Sequence, residues 1–213
     1  MAELAGDTLG AVIAWHARKR RKIAIAHGAH IIIEAGNALG ALKSEPPELV
    51  PRDVSPETIL ISKQGEVGLA SFDLEHVRNR VSTHAVGFSY LAPETASGAR
   101  YDRRIEVFAL GSILWEMLSG RRLFIGNTDY QTVELVRAAR VDSVASLNAD
   151  VDRDLDSIVR TALAKSPEER FPTTAAFADA LADYVAAGRL EISKHDIAAV
   201  IEEMYAHAER RLN

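Results

Sequence analysis

The sequence contains no cysteine at any of its 213 positions. Disulfide bonds, thiolate nucleophiles and cysteine-ligated zinc are therefore excluded for this chain, and the composition fits a reducing compartment. No apolar run approaches the roughly 18 residues that a membrane-spanning helix needs. The first ten residues, MAELAGDTLG, lack the basic and apolar regions of a signal peptide. We expect a cytoplasmic protein.

Internal repeats and low-complexity linkers are also lacking, and no charge of one sign dominates. The formal net charge is -5, which argues against nucleic acid as the main partner. Hydrophobic residues make up 47% of the chain and charged residues 26%, which is typical of a globular protein. The length is sufficient for one domain with a substantial core.

Apolar spacing predicts a mostly helical domain. Helices are expected over residues 9–18 and 23–44, and a third over residues 103–120, RRIEVFALGSILWEMLSG. The third is apolar on all sides, which indicates a buried helix, and Gly120 provides a stop. A terminal helix is expected to begin near Ser193 and Asp196 and to present one apolar stripe, which comprises Ile197, Val200, Ile201, Met204 and Tyr205.

Two shorter patterns complete the expected architecture. The β-rich runs TILIS and EVGLAS, joined by the turn KQG, predict a β-hairpin. In SPEER, the order Ser166, Pro167, Glu169 fits a capping box at the start of a helix.

Five motifs occur in an order that resembles the C-terminal lobe of a serine/threonine protein kinase. Their residues resemble in particular those of the serine/threonine kinases of myxobacteria. PRDVSPETILI, residues 51–61, resembles the kinase catalytic loop, His-Arg-Asp followed by four residues and Asn. SFD stands in place of Asp-Phe-Gly, and LAPET matches Ala-Pro-Glu. Residues 106–124 resemble the buried central helix of that lobe, and ALAKSPEERFPT resembles its penultimate segment.

The motifs of the kinase N-terminal lobe have no counterpart in these residues. That lobe carries a glycine-rich loop and a strand lysine that hold the ATP phosphates. Neither G-x-G-x-x-G nor V-A-I-K occurs in the sequence. The resemblance therefore implies a kinase-like C-lobe over residues 1–186, with the N-lobe absent. Residues 187–213 are expected to form a C-terminal helical extension packed on the same domain.

The motif positions that hold metal in the family carry other residues in this chain. Thr58 and Ser71 stand where the family has Asn and Asp, and neither hydroxyl can neutralise Mg²⁺. Asp53 keeps the position that orients or deprotonates the substrate hydroxyl. The degenerate catalytic loop comprises Pro51, Arg52, Asp53 and Thr58, and the degenerate metal motif comprises Ser71, Phe72 and Asp73. We predict no phosphotransfer, no cofactor and no metal.

Three further positions take structural roles by the same resemblance. Glu94 and Arg170 are expected to form a buried ion pair that braces the loop on the substrate side. Glu106 replaces the aspartate that opens the central helix and braces the catalytic loop. A separate basic run could bind an anion, although such runs are more often solvated loops; it consists of Arg18, Lys19, Arg20, Arg21 and Lys22.

The resulting interpretation is a pseudokinase: not an enzyme, but a protein-interaction or regulatory scaffold. The expected partner is another protein or a second copy, bound on the face that an N-lobe would cover. Three alternatives remain open. The chain could be a fragment or half of a split kinase with residual ATP binding. It could be an unconventional nucleotide-binding enzyme that uses Asp53 and Asp73, or an anion-binding module that uses the basic run.

Overall fold

Eight α-helices and three strands form the part of the chain that the computed structural model describes, which is residues 6–41, 54–70, 87–98, 102–188, 190 and 192–212. The strands are β1 (Gly6–Thr8), β2 (Ile59–Ser62) and β3 (Val67–Leu69). The helices are α1 (Leu9–Arg18), α2 (Ile25–Ala41), α3 (Pro93–Ala96), α4 (Arg104–Ser119), α5 (Asp129–Ala138), α6 (Arg153–Ala162), α7 (Thr174–Ala187) and α8 (Lys194–Leu212). The predicted mostly helical class is confirmed.

Helix α4 is the centre of the core. Every residue from Ile105 to Leu118 is buried, which confirms the prediction made from its apolar sequence. It packs against α2, α6 and α7. The helix ends where expected, because Gly120 adopts a left-handed conformation (φ 76°) and its N–H donates to the Glu116 carbonyl at 2.8 Å. Glycine reaches this conformation without steric cost.

The small sheet has three strands, one more than the predicted hairpin. β2 and β3 pair in antiparallel fashion, with Ile61 opposite Val67, and this confirms the hairpin. β1 pairs along the other edge of β2, with Thr8 opposite Leu60. The sequence of β1, Gly-Asp-Thr, has no alternation of apolar and polar residues. Its strand conformation follows from its hydrogen bonds to β2 rather than from its own pattern.

The expected capping box at SPEER is not formed. Ser166 makes no capping bond to the backbone, and its hydroxyl donates to the Glu168 carboxylate at 2.8 Å. Residues Pro167–Glu169 form only one 3-10 turn, after which Arg170 is extended (φ -84°, ψ 169°). Arg170, whose side chain is buried in the core, is the residue at which the chain leaves the turn. Its tertiary contacts therefore decide the backbone conformation here, against the local preference of Ser166 and Pro167 for a helix start.

Helix α8 packs its apolar stripe against α1 and β2, and Ile197, Ile201 and Met204 are buried. It begins as expected, because the Ser193 N–H and hydroxyl both donate to Asp196 Oδ2, at 2.7 and 2.9 Å. Gly65, in the β2–β3 turn, has φ 79°, and a Cβ there would lie 1.8 Å from the Lys194 carbonyl oxygen. The division of the chain at residue 186 stays a prediction.

Among the described residues, no helix has both the length and the apolar character required to cross a membrane.

Two histidines lie beneath α8. His16 contacts the Val12 carbonyl oxygen through Nδ1 at 3.0 Å, and both His16 and His27 line a small cavity between α1, α2, β2 and α8. Burial is the main cause that lowers the pKa of each below the ordinary 6.5. At His16, the Val12 hydrogen bond and Glu203 of α8 oppose this lowering of the pKa, whereas Arg21 and Lys19 add to it. At His27, Asp196 of α8 opposes the lowering of the pKa, whereas His16 and His30 add to it.

We predict that the protein loses thermal stability between about pH 7.5 and about pH 5.5, the range in which histidine takes up protons. A histidine whose folded pKa is lowered takes up a proton more readily in the unfolded chain. The stability that it contributes is therefore complete above 6.5 and is lost as pH falls through that value towards the folded pKa. Melting curves of the His16→Gln, His27→Gln double variant should be flatter over this range. His195→Gln, at an exposed position, is the control, and an unaltered slope in the double variant would contradict the assignment.

Candidate functional site

A buried ion pair anchors the segment that carries Ala-Pro-Glu to the core. Arg170 Nη1 and Nη2 donate to the two carboxylate oxygens of Glu94, each at 2.7 Å. The Arg170 side chain has no solvent exposure and that of Glu94 has 13%. Two parallel bonds of this kind fix both orientation and distance. Glu94 lies in α3, so the pair ties α3 to the chain between α6 and α7.

All five N–H groups of Arg170 are used. Besides the two bonds to Glu94, Nε donates to the Ala164 carbonyl at 2.7 Å, Nη1 to the Arg104 carbonyl at 3.1 Å and Nη2 to the Lys165 carbonyl at 3.1 Å. The guanidinium also lies over the Phe108 ring, with Cζ 4.8 Å from its centroid. A lysine could supply neither the planar fork nor five donors, so this position requires arginine.

A second buried cluster lies just before α3, and sequence reasoning missed it. The Tyr90 hydroxyl donates to Glu116 Oε2 at 2.5 Å, and Arg122 Nε lies 3.7 Å from Glu116 Oε1. Burial raises the pKa of Glu116 above its ordinary value, while the Tyr90 hydrogen bond and Arg122 hold it down. Burial and the neighbouring Glu116 carboxylate raise the pKa of Tyr90. The available sequence signal was a glutamate within the otherwise apolar run LWEML.

The ion pair and the Tyr90–Glu116 bond act on the same stretch of chain. Tyr90 lies four residues before Glu94, and their partners lie in the core on either side of it. Helix α3 is also held by α5, because Arg137 Nε donates to the Ala96 carbonyl at 2.8 Å. The described part of this segment, residues 87–98, is therefore held by the central helix, by α5 and by the chain preceding α7.

Thr58 stands where the family has a metal-binding amide. Its hydroxyl donates to the Ser55 carbonyl and accepts from the Ser55 N–H, both at 3.0 Å. These bonds close a local turn immediately before β2 and use the hydroxyl as both donor and acceptor. The absence of a Mg²⁺ ligand at Thr58 stays a prediction. No group of three or more potential metal-binding side chains occurs among the described residues.

The other predicted catalytic and metal-motif residues lie outside the described residues: Pro51, Arg52, Asp53, Ser71, Phe72 and Asp73. Glu106 is described. It lies in the first turn of α4 and is only 2% exposed. The loop that it was expected to brace includes residues 51–53, so that role stays a prediction.

The basic run forms the end of α1 and the connection to α2. Lys19 Nζ contacts Glu203 Oε1 at 2.8 Å and lies 4.2 Å from the centroid of the Trp15 ring. Lys22 Nζ donates to the Leu147 carbonyl. The arginines of the run, Arg18, Arg20 and Arg21, are exposed. The structure thus uses the two lysines in contacts within the protein, and anion binding by the run stays a prediction.

Comparison with known proteins decides the family. A model of the protein kinase domain matches residues 4–181. The chain belongs to the protein kinase family. It is 30% identical over 200 residues to the tyrosine-protein kinase MasK of Myxococcus xanthus, which is 87% of this chain and 30% of that protein. It is 37% identical over 154 residues to the serine/threonine-protein kinase PknB of Mycolicibacterium smegmatis, which is 68% of this chain and 24% of that protein.

A third relative gives a similar match. The serine/threonine-protein kinase PknL of Mycobacterium tuberculosis is 30% identical over 161 residues, which is 73% of this chain and 36% of that protein. The chain therefore spans little more than a third, at most, of these three curated relatives. The relatives carry names for both tyrosine and serine/threonine kinases.

The prediction that this chain is not an enzyme is wrong. It rested on the substituted motif positions, whereas the family match and the named relatives all point to kinase enzymes. The substitutions at positions 51, 58, 71 and 73 are real features of the sequence. They do not by themselves remove the chain from a family of phosphate-transferring enzymes.

We predict that Arg170→Lys lowers the free energy of unfolding by about 1–3 kcal/mol, because an ammonium group has only three donors and no planar fork, so at least two of the five acceptors around Arg170 lose their hydrogen bond. Glu94→Gln should cost a similar amount, and the two changes together should cost much less than their sum. Urea denaturation of the single and double variants measures this coupling. The exposed pair Lys194–Glu66, at 3.6 Å, is the matched control and should couple by less than about 1 kcal/mol. Independent effects of the Arg170 and Glu94 changes would contradict the clamp.

We predict that Tyr90→Phe costs about 1–3 kcal/mol at neutral pH, because the buried Glu116 carboxylate loses its hydroxyl donor. The loss should raise the pKa of Glu116 further. A raised pKa favours the protonated folded state, so the cost should shrink as pH falls towards that pKa. Chemical denaturation at several pH values measures both effects. Tyr130→Phe, at an exposed position, should change nothing, and a cost for Tyr90→Phe that is independent of pH would contradict the assignment.

Proposed function

We propose that this chain is the large helical lobe of a bacterial protein kinase and that it binds protein partners of the kinase, whether substrates or regulators. The proposed contact surface is α5 with the loop before it, and we call Ile125, Tyr130 and Leu135 the α5 face. This assigns to the chain a regulatory, protein-binding role within a kinase. The partner itself is defined only by chemistry: a protein surface with apolar groups.

The observation that carries this proposal is the exposure of the α5 face. Tyr130 is 72% exposed, Ile125 58% and Leu135 44%. They are the large apolar residues that are exposed among the described part of the chain, and all three fall within eleven consecutive positions. Single exposed apolar residues are ordinary, whereas three of them within so short a segment support an interaction surface around α5. Tyrosine is also enriched where proteins bind one another.

The position of α5 supports a partner that acts on the kinase segment. Arg137 of α5 donates to Ala96 of α3, and Glu94 of α3 is bound by Arg170. A protein bound on the α5 face would therefore lie beside residues 87–98. That segment is joined directly to the buried core through the Glu94–Arg170 ion pair. Binding there would act on the Ala-Pro-Glu segment through contacts that exist in the free protein.

The face that an N-lobe would cover remains a second proposed surface. Its hairpin contributes Ile59 and Ile61, and both side chains are fully buried, so among the described residues they offer nothing to a partner. The α5 face is therefore the better supported surface.

Phosphate transfer by this lobe would require ATP-holding groups from outside these 213 residues. The sequence contains neither the glycine-rich loop nor the strand lysine that hold the phosphates in kinases. Thr58 uses its hydroxyl within its own turn. In the proposed arrangement, this lobe of the kinase binds protein partners. The residues that bind the ATP phosphates belong to another part of the kinase, in the same chain or in a different one.

Photocrosslinking tests the proposal directly. A photoreactive phenylalanine analogue at position 130 should give discrete protein adducts in extracts of the source cells, whereas the same analogue at the exposed Asp150 should not. Replacing Ile125 and Leu135 by serine, in the chain that carries the probe at position 130, should weaken those adducts. Identical adducts at both positions, or none at position 130, would contradict the α5 face as a binding surface.

A further inference from the structure

Helix α8 occupies a defined groove on the kinase-family part of the chain. The floor of this groove, which we call the α8 groove, is mostly apolar. It comes from α1, the α1–α2 connection, α2 and β2: Val12, His16, Ile23, His27, Ile31 and Ile61. Ile197, Ile201 and Met204 of α8 lie against the core at positions i, i+4 and i+7. This is the pattern with which an amphipathic helix fills a hydrophobic groove.

The rim of the groove carries charges of both signs. Its basic groups face acidic and aromatic groups of α8, whereas Glu66 lies 3.6 Å from Lys194 of α8 and Asp7 forms a hydrogen bond with Tyr205. Lys19 Nζ contacts Glu203 Oε1 at 2.8 Å, and Arg21 lies 4.0 Å from the same oxygen. In the turn between β2 and β3, Lys63 Nζ lies 4.9 Å from the centroid of the Tyr205 ring. The contact between Lys19 and Glu203 therefore adds an acidic requirement at one position to the apolar stripe.

Three observations indicate that α8 is a replaceable occupant. The kinase-domain match ends at residue 181, so the groove belongs to the matched part and α8 does not. A cavity of about 10 Å³, room for roughly one water molecule, remains between α8 and the groove. The rim contacts are partly exposed ion pairs, and such pairs contribute little to binding strength.

We propose that the α8 groove is a docking site for an amphipathic helix, that α8 fills it within the chain, and that a partner helix of the same chemistry displaces α8. The partner is defined by Ile, Val, Leu or Met at i, i+4 and i+7, with an acidic residue at i+6 to meet Lys19. This site is separate from the α5 face and does not depend on it.

A binding measurement on the full chain tests the proposal. The probe is a labelled peptide with the sequence of residues 192–212, followed by fluorescence anisotropy. Because bound α8 keeps the groove closed, the wild-type chain should bind the peptide weakly. Ile201→Asp in the chain should detach its own α8 and tighten peptide binding by about tenfold or more, since apparent affinity scales with the open fraction. Circular dichroism establishes that this variant is folded.

Charge exchange gives the specific control. A peptide with Glu203→Lys should bind the Ile201→Asp chain less well, and adding Lys19→Glu to that chain should restore its binding. Glu202→Lys in the peptide is the matched control, because Glu202 is exposed and adjacent, and it should leave affinity unaltered. If Ile201→Asp fails to fold, Glu203→Lys in the chain opens the groove more gently and should still tighten binding of the wild-type peptide.

Two results would overturn the proposal. A folded chain with a detached α8 that binds no peptide would mean that the groove is only an internal contact. Dimers of the wild-type chain that exchange α8, detected by light scattering and removed by Ile201→Asp, would mean that the occupant is a second copy rather than a partner helix.

Discussion

The bidentate contact between Arg170 and Glu94 is the constraint on which the arrangement of the site depends. It joins a four-residue helix, too short to be stable alone, to a fully buried guanidinium whose five donors are all used. Such a group cannot be moved without leaving several polar atoms unpaired in the core. Helix α3 therefore has one position relative to the core, and α5, bonded to α3 through Arg137, is held beside it.

The buried helix α4 provides the other half of this arrangement. It supplies Phe108 beneath the Arg170 guanidinium and Glu116 to the Tyr90 hydroxyl, so both anchors of residues 87–98 depend on one apolar helix. Polar groups in such a core are costly unless they are fully bonded. The Arg170–Glu94 and Tyr90–Glu116 clusters satisfy that requirement. Together they fix residues 87–98, and with them the α5 face, in one position relative to the core.

Much of the fold could be predicted from the sequence, because helices α1, α4 and α8 carry their own signals. The apolar run of α4 and its stop at Gly120 are local features, and so is the stripe of α8. β1 could not be predicted, since three residues gain strand conformation only from β2. The capping box at Ser166 was wrong because the buried Arg170 decides the backbone there. Tyr90 and Glu116 are 26 positions apart, and no local pattern links them. The prediction that the chain is not an enzyme was wrong because substitutions at single motif positions do not outweigh a kinase-domain match over most of the chain.

Hydrogen exchange in the Arg170→Lys variant tests the central claim most directly. If the Arg170–Glu94 ion pair anchors residues 87–98, amides of residues 87–98 and of α5 should exchange faster in this variant than in the wild type. Amides of α1 and α2 should exchange at unaltered rates. Equal acceleration across the whole chain would mean that Arg170 contributes only global stability. Unaltered exchange in residues 87–98 would mean that other contacts hold the segment, and it would contradict the role of the Arg170–Glu94 pair as its anchor.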